Sequence, residues 1–380
     1  MMKKKIKNKI RINGCMVVCF WAMLLVPNLL WLLVSPWAAN TNTENRILAE
    51  FPRITANSFY EDLESYPRQI EDYINDHAAF RSQFLSLNAG INLVLFRSVD
   101  NPTVIRGREN WYFFNGGASV EDYRGQNLLS ETDLITIASK VLEANRHFEE
   151  LGVELVILLA PNKERIYGEY MPSCYTRLSD ITRYDQLAEG LRELTDVPIV
   201  APKSYYLENR DRLWYFKSDT HWNEAGAFVA GQMLIETLGG NPTALEDLDV
   251  CYDYRGPGDI ALLFHMPDRF LEDYSCTVNG YYEEVSVIPE MPFSPAPITR
   301  TRAENAPDKR HIALFHDSFT LVMMDKFSRY FQQVTYYPWQ DFSPEYLTRE
   351  ELPDVLVYEV VERDIARIVS DMDELMQSGQ

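Results

Sequence analysis

Cysteine and histidine are scarce in this sequence, with five cysteines and six histidines among 380 residues. They do not fall at the spacings of a metal site, and the chain also lacks a glycine-rich phosphate loop and a dinucleotide-binding fingerprint. These absences argue against the cofactors that such motifs hold. We therefore expect no metal and no cofactor, and chemistry carried by side chains alone.

The cysteines are unevenly placed along the chain. Cys15 and Cys19 lie in an apolar N-terminal stretch, which leaves Cys174, Cys251 and Cys276 in the remainder. An odd number allows one disulfide and one free thiol. Proximity in the sequence favours a bond between Cys251 and Cys276, while the other pairings stay open.

Basic residues are few after the first eleven positions. Six of the 36 lysines and arginines precede the apolar stretch, so that 30 basic residues accompany all 56 acidic ones in the remainder. Nucleic acids and anionic lipid surfaces are bound by cationic faces. The composition therefore argues against both as partners, and the simplest role of the acidity is solubility.

The N-terminus has the pattern of a membrane signal anchor. Basic residues without any acid come first, and an apolar stretch from Cys15 to Val34 follows. About 20 apolar residues suffice to cross a bilayer, and the charge asymmetry directs the N-terminus to the cytoplasm. We expect a single-pass protein of the cell membrane with its main domain extracytoplasmic. The alternative is cleavage near Ala39 and release.

Three regions follow from the pattern along the chain. Residues 1–37 are the basic tail and anchor, and residues 38–100 are a juxtamembrane segment in which apolar residues recur at helical spacing. Residues 101–380 are an α/β domain. An insertion at about residues 247–308 is rich in tyrosine, proline and acids and has no clean period.

The α/β domain is predicted from apolar runs that alternate with amphipathic segments. Residues 153–160 form a continuous apolar run, as expected of a strand buried on both faces. Further strands are predicted at residues 104–105, 111–114, 197–200, 312–315, 334–337 and 355–358, and helices at 131–151, 184–194, 223–238, 318–331 and 362–370. The alternation predicts a doubly wound, mainly parallel sheet with functional residues at the carboxyl ends of its strands.

Two short segments contain the residue types of serine-based acyl chemistry. One reads SDTHWN from residue 218 and contains Asp219 and His221; the other reads HDSF from residue 316 and contains Ser318. A serine hydroxyl attacks well only when an imidazole removes its proton, and a carboxylate fixes the tautomer of that imidazole. We expect Ser318 as nucleophile, His221 as base and Asp219 as the acid that orients it. Ser318 lies between a predicted strand and a predicted helix, where backbone N–H groups can stabilise an oxyanion.

Other roles stay open at and around these positions. An Asp-x-His run is often an ordinary polar loop, and Ser318 and Asp317 are common residue types at the start of a helix. His316 is a competitor of His221 as the base. The candidates for contacting the substrate or an oxyanion are Lys163, Tyr167, Asn223 and Phe319.

The two motifs resemble those of a known family. The segment at Ser318 resembles the Gly-Asp-Ser block of SGNH hydrolases with His316 in place of the glycine, and residues 219–221 resemble their Asp-x-x-His block shortened by one residue. In ordinary SGNH enzymes the serine comes first, whereas here it follows the other two residues by about a hundred positions. This permuted order is similar to that of polysaccharide O-acetyltransferases of the alginate AlgJ/AlgX type and the DHHW group. Flanking segments extend the resemblance over roughly residues 45–363.

The resemblance implies a fold and a function. The fold would be SGNH-hydrolase-like, and the function would be O-acetyl transfer to a cell-surface or exported polysaccharide through an acetyl ester of Ser318. The expected partners are the polysaccharide acceptor and a multi-pass membrane acyltransferase that supplies the acetyl group. The alternatives are an acetyl esterase with the same triad, or a non-catalytic scaffold or glycan-binding subunit of an export complex.

Overall fold

The computed structural model describes residues 14–23, 25–27, 29–30, 33, 48–53, 59–99, 101–265, 273–290, 298–349 and 351–378. They belong to two compact units, Met1–Asp100 with Leu262–Phe270, and Asn101–Ala261 with Leu271–Gln380. Within the described ranges, no helix combines the length and the apolar character needed to cross a membrane. The predicted anchor includes positions 24, 28, 31, 32 and 34, which lie outside the described residues.

The first unit contains two helices of the predicted juxtamembrane segment, α1 Phe59–Asp76 and α2 Arg81–Ile91. The apolar residues at spacings of three and four fall within α1, so the helix expected from that spacing is present. A five-residue π-helical turn, Asn92–Phe96, follows α2 directly.

The second unit alternates strands and helices. Its helices are α3 Ser119–Arg124, α4 Glu131–Glu150, α5 Lys163–Ile166, α6 Arg183–Leu194, α7 Lys203–Glu208, α8 Glu224–Thr237, α9 Asp259–Leu263, α10 Thr320–Ser328 and α11 Ile368–Leu375; the last two residues of α9 are assigned to the first unit. Its strands are β1 Val104–Arg106, β2 Tyr112–Phe114, β3 Glu154–Ala160, β4 Ile199–Val200, β5 Asp249–Arg255, β6 Asp273–Asn279, β7 Ile288–Glu290, β8 Thr299–Arg302, β9 Asp308–His316, β10 Phe331–Pro338 and β11 Val355–Val361.

The central sheet has seven strands in the order β4-β3-β11-β9-β10-β8-β7. The first five strands in this order pair in parallel, while β8 and β7 add antiparallel pairs at one edge. The α/β prediction is confirmed, and the parallel part contains the apolar runs predicted at residues 153–160, 197–200, 312–315, 334–337 and 355–358, whereas the runs at 104–105 and 111–114 form a separate antiparallel pair. The antiparallel edge comes from the region predicted to be an unpatterned insertion.

Both faces of the parallel strands are covered, as their continuous apolar sequences require. One cluster of buried side chains packs α8 and α10 against one face, with Val156, Leu314 and Val357 among its members. A second cluster packs α4, α6 and α11 against the other face, with Leu155, Ala313 and Leu356. Alternate residues of each strand therefore serve different layers, and the polar residues that follow the strands are left at their carboxyl ends.

The described parts of the insertion at residues 247–308 contain regular secondary structure, which the sequence analysis did not predict. They form the antiparallel hairpin of β5 and β6, the short helix α9 and the two edge strands β7 and β8. The expected Cys251–Cys276 disulfide is wrong, because both thiols are free. Cys251 lies opposite Thr277, and Cys276 lies opposite Tyr252. Since side chains alternate between the two faces of a strand, the two sulfur atoms point to opposite sides of the hairpin.

Candidate active site

A short non-helical loop before α8 carries Asp219 and His221. An antiparallel bridge between Tyr215 and Trp222 closes the loop, and the side chain of Asn223 caps the helix that follows. On a helix, residues two apart point in different directions. In this loop the Oδ1 atom of Asp219 lies 2.6 Å from the Nδ1 atom of His221, which is the pairing that the sequence suggested.

Ser318 lies between the end of β9 and the start of α10. Its Oγ atom is 2.7 Å from the Nε2 atom of His221, although 97 positions separate the two residues. Ser318, His221 and Asp219 are therefore joined by two consecutive hydrogen bonds. A second link holds the two segments together, because the indole N–H of Trp222 donates to the carbonyl of Phe319 at 2.9 Å.

The carboxylate of Asp219 accepts four hydrogen bonds. Its Oδ1 atom accepts from Nδ1 and from the backbone N–H of His221, and its Oδ2 atom accepts from Arg255 at 3.1 Å and from the backbone N–H of Asp259 at 3.3 Å. Burial acts to raise the pKa of Asp219, but the hydrogen bonds and charge of His221, with the charge of Arg255, outweigh it and hold the pKa well below its ordinary value. An ionised Asp219 can stabilise an imidazolium at His221.

Three charged residues of this site come from the insertion and were missed in the sequence. Arg255 contacts Asp219 and stacks on the ring of Phe216, with its guanidinium 3.8 Å from the ring centre. Asp259 lies at the start of α9 beside the loop. Asp273 accepts hydrogen bonds from the backbone N–H and the hydroxyl of Ser218, at 2.8 and 2.6 Å. A strand signal was available, because residues 249–255 and 273–279 alternate between polar and apolar side chains, but it does not indicate that the ends of these strands meet the loop of Asp219.

Lys163 has a different position from the one expected for a substrate contact. Its side chain is buried, and its ammonium donates to the carbonyls of Phe216, Lys217 and Asp219 at 3.2, 3.2 and 2.6 Å. A buried ammonium with three acceptors has no donor left for an oxyanion. Lys163 therefore holds the backbone of the loop that carries Asp219.

The other three substrate or oxyanion candidates are also engaged within the protein. The hydroxyl of Tyr167 accepts from the backbone N–H of Trp214 at 2.8 Å. Asn223 uses its side chain to cap α8. The backbone N–H of Phe319 donates to the carboxylate of Asp317 at 2.8 Å. The structure thus gives each of these residues a role in holding the loop or the strand end.

His316 lies inside the fold, with about 1% of its surface exposed. Its Nδ1 atom is 2.6 Å from the carbonyl oxygen of Asp317, and burial lowers its pKa. The carboxylate of Asp317 also accepts from the backbone N–H of Val361 at 2.8 Å, which ties β9 to the end of β11. The imidazole in contact with Ser318 is that of His221, so the competing role for His316 has no support in the geometry.

One cluster in this site has the ligand types and closeness of a metal site. Asp219, His221 and Asp259 each offer one ligand atom, and these atoms lie within 4.8 Å of one another. The Nδ1 atom of His221 is already engaged by Asp219, and Asp259 already accepts two hydrogen bonds from Thr220. The donor set is satisfied internally by charge-assisted hydrogen bonds, which fits a triad with supporting residues.

The relationship suggested by the motifs can now be compared with known proteins. The family described as SGNH hydrolase-like domain, acetyltransferase AlgX, matches residues 104–249. The expected resemblance is confirmed. The AlgX-type match contains Asp219 and His221, whereas Ser318 lies beyond it and is added by the geometry described above.

Two curated relatives carry the description probable alginate O-acetylase AlgJ. The protein from Pseudomonas putida is 27% identical over 166 residues, which cover 41% of this chain and 40% of that protein. The protein from Pseudomonas fluorescens is 23% identical over 177 residues, which cover 46% of this chain and 42% of that protein. The match thus spans about two fifths of the length of each AlgJ relative.

The fold is shared with a solved structure. Bacillus cereus PatB1, in a structure with a sulfonyl adduct, superimposes with a TM-score of 0.53 at 13% identity, over 74% of this chain and 99% of that chain. At this identity the likeness concerns the fold alone. The superposition agrees with the α/β architecture described above.

Proposed function

We propose that this protein is an extracytoplasmic O-acetyltransferase that modifies hydroxyl groups of a cell-surface or exported polysaccharide. The observation that carries the proposal is the pair of short contacts, 2.6 Å from Asp219 to His221 and 2.7 Å from His221 to Ser318. This is the arrangement by which a serine hydroxyl is activated for attack on an ester. The resemblance to AlgJ and AlgX supports acetyl as the transferred group.

In the first half of the reaction, the Oγ atom of Ser318 attacks the carbonyl carbon of the acetyl donor, and its proton passes to Nε2 of His221. Asp219 stabilises the resulting imidazolium through the hydrogen bond to Nδ1. The tetrahedral intermediate then collapses, the donor's leaving group takes the proton from His221, and an acetyl ester of Ser318 remains.

In the second half, a sugar hydroxyl attacks the acetyl ester while His221 removes its proton. Collapse of this intermediate releases the acetylated sugar, and Ser318 regains its proton from His221. Water can perform the same step, so transferase and esterase share every residue named so far. A bound acceptor favours transfer because its hydroxyl has an effective concentration far above that of a free reactant.

The acetyl donor and the location belong to the same proposal. Acetyl-CoA is cytoplasmic, so an extracytoplasmic enzyme needs a multi-pass membrane acyltransferase that carries the acetyl group across. The basic N-terminus and the apolar stretch at residues 15–34 favour a single-pass anchor. Fractionation of cells that express the full chain should leave it in the membrane, with protease reaching residues after 38 only from outside. A soluble form that begins near Asn40 would contradict the anchor.

The decisive experiment for the reaction gives the detergent-purified full chain 4-nitrophenyl acetate as donor and a panel of oligosaccharides as acceptors. We expect acetylated oligosaccharide, detected by mass spectrometry, with free acetate as the minor product. Ser318→Ala and His221→Ala should abolish the product. Ser204→Ala is the matched control, because Ser204 is an exposed serine of α7 and should leave the product unchanged.

The other outcomes distinguish the alternatives. Release of acetate from acetylated polymers with no acceptor modified would establish the esterase. Binding of glycans without either activity would establish the scaffold. Full activity in Ser318→Ala would refute the proposed nucleophile.

A further inference from the structure

Asp259 lies beside the imidazole of His221 on the side away from Ser318. Its Oδ2 atom is 3.6 Å from the Nδ1 atom of His221, next to the 2.6 Å contact that Asp219 makes with the same nitrogen. We propose that Asp259 is a second positioning carboxylate for His221, which holds the turn before the imidazole and adds a negative charge at Nδ1. The inference rests on the proposed function, because it assigns a role within the same triad.

The position of Asp259 depends on a close approach of the insertion to the triad loop. A Cβ atom placed on Gly258 would lie 2.5 Å from the Cβ atom of Asp219 and 2.7 Å from the carbonyl oxygen of Ser218. Only glycine allows the two backbones to come this near. In addition, the backbone N–H of Gly258 donates to the hydroxyl of Ser218 at 3.0 Å. The insertion is thus fitted to the loop, and Asp259 is the next residue along the chain.

The hydrogen bonds of Asp259 are those of an ionised carboxylate. Its Oδ1 atom accepts from the backbone N–H groups of Thr220 and Ile260 at 2.7 and 2.6 Å, and its Oδ2 atom accepts from the hydroxyl of Thr220 at 2.6 Å. All these partners are donors, which favours the charged form. Burial and the charge of Asp219 act in the opposite direction and raise the pKa of Asp259.

The charges around Nδ1 balance when the imidazolium forms. Arg255 neutralises one of the two carboxylates, Asp219 and Asp259, so the group has one net negative charge while His221 is neutral and none when His221 is protonated. The extra charge favours protonation of His221 during attack by Ser318. Other charged residues also face this group: the ammonium of Lys163 interacts with Asp219, Asp259 and Asp273, and the guanidinium of Arg363 lies 5.3 Å from the centre of the Phe319 ring, which packs on His221.

The test measures how fast phenylmethylsulfonyl fluoride labels Ser318 of the full chain as a function of pH. Labelling needs neutral His221, so the labelling rate falls at low pH. The pH range of this fall, the acid limb, reports the protonation of the imidazole. Asp259→Asn removes a negative charge and should move the limb down by about one pH unit, with roughly tenfold slower labelling on the plateau. Arg255→Gln removes a positive charge and should move the limb up.

Thr220→Val is the matched control for a purely structural role. It removes the hydroxyl that donates to Asp259 and lies 3.3 Å from the Nδ1 atom of His221, but it keeps both carboxylates. Since no charge is lost, labelling should slow while the limb stays within about 0.3 pH units of the wild type. A limb unmoved in Asp259→Asn, or moved equally in Thr220→Val, would overturn the inference. If Asp259→Asn does not fold in a thermal-unfolding assay, Asp259→Ser decides in the same way, because it also removes the charge: an unmoved limb there overturns the inference. Absence of labelling in the wild type would instead refute the proposed function, and the inference with it.

Discussion

The parallel sheet and the segment from β5 to β6 contribute to one site in different ways. The sheet places Ser318 at the end of β9, whose last five residues are buried along with every residue of β11. The segment is largely half-buried or exposed, yet it brings Arg255, Asp259 and Asp273 to the loop of Asp219. The sheet therefore fixes the position of Ser318, and the segment sets the charge around His221. The position of Ser318 could be predicted from the apolar run that precedes it, whereas Arg255, Asp259 and Asp273 were not predicted to be near His221.

The largest effect on activity is expected from replacing Ser318, which the sheet positions. Ser318→Ala should reduce hydrolysis of 4-nitrophenyl acetate by a factor on the order of 10³ or more, because the proposed nucleophile is lost. Thermal unfolding should change little, since Ser318 is partly exposed and its hydroxyl contacts only His221 among the described partners. A loss of less than tenfold would place the nucleophile elsewhere.

A smaller effect on activity, with a clear effect on stability, is expected from replacing Asp273 in β6. Asp273 is buried, and its carboxylate accepts hydrogen bonds from Lys217 and Ser218. In Asp273→Asn one of the two acceptor oxygens becomes an NH₂ group, so that some of these donors lose their acceptor. We expect a loss of about 2–4 kcal/mol in the free energy of unfolding, measured with urea. Activity should fall about tenfold, because the loop of Asp219 loosens.

Asp253→Asn is the control for this prediction. Asp253 lies on the same hairpin but is exposed, and its replacement should change neither the free energy of unfolding nor the activity measurably. Equal stability of Asp273→Asn and Asp253→Asn would mean that the segment does not support the loop.

The smallest effect is expected at His311, in the amino-terminal half of β9. Burial, with the charge of Arg300, lowers the pKa of His311 to about 4, whereas an unfolded histidine titrates near 6.5. Between these pH values the unfolded chain binds more protons at this position, so stability is present above about pH 6.5 and is lost as pH falls towards 4.

His311→Gln removes this pH-dependent contribution and keeps a polar partner for Thr335. The free energy of unfolding should therefore fall less between pH 7 and 4.5 than in the wild type, by about 2 kcal/mol. Activity at pH 7 should be unchanged. An identical acid sensitivity in the two proteins would contradict the assigned pKa.

The sequence predicted the strands and helices in which apolar residues are continuous or regularly spaced. The apolar runs of β3, β9 and β11 are strands, and the amphipathic segments of α4 and α6 are helices. The pairing of Asp219 with His221 was also expected, because a non-helical loop allows it. These features depend on residues that are close together in the chain, so the local sequence pattern predicts them.

Features that depend on which distant segments meet were not predicted. The sequences of β5 and β6 do alternate between polar and apolar residues, and the apolar positions 250, 252, 254, 274, 276 and 278 share one face of the hairpin. This strand signal was present in the sequence and was overlooked among the many acids and tyrosines of the region. The role of Lys163 was missed for a different reason, since its three acceptors are backbone carbonyls from residues more than fifty positions away.

The place of β11 in the sheet has a consequence for when the protein becomes competent during synthesis. β11 is one of the last strands made, yet it lies between β3 and β9 and pairs with both. The carboxyl end of β9 therefore has no neighbouring strand on that side until residue 361 has been synthesised. A chain in which β11 has not yet been made contains Asp219, His221 and Ser318 without the sheet that sets the contacts of 2.6 and 2.7 Å between them. The order of the strands therefore delays assembly of the site until β11 has been synthesised.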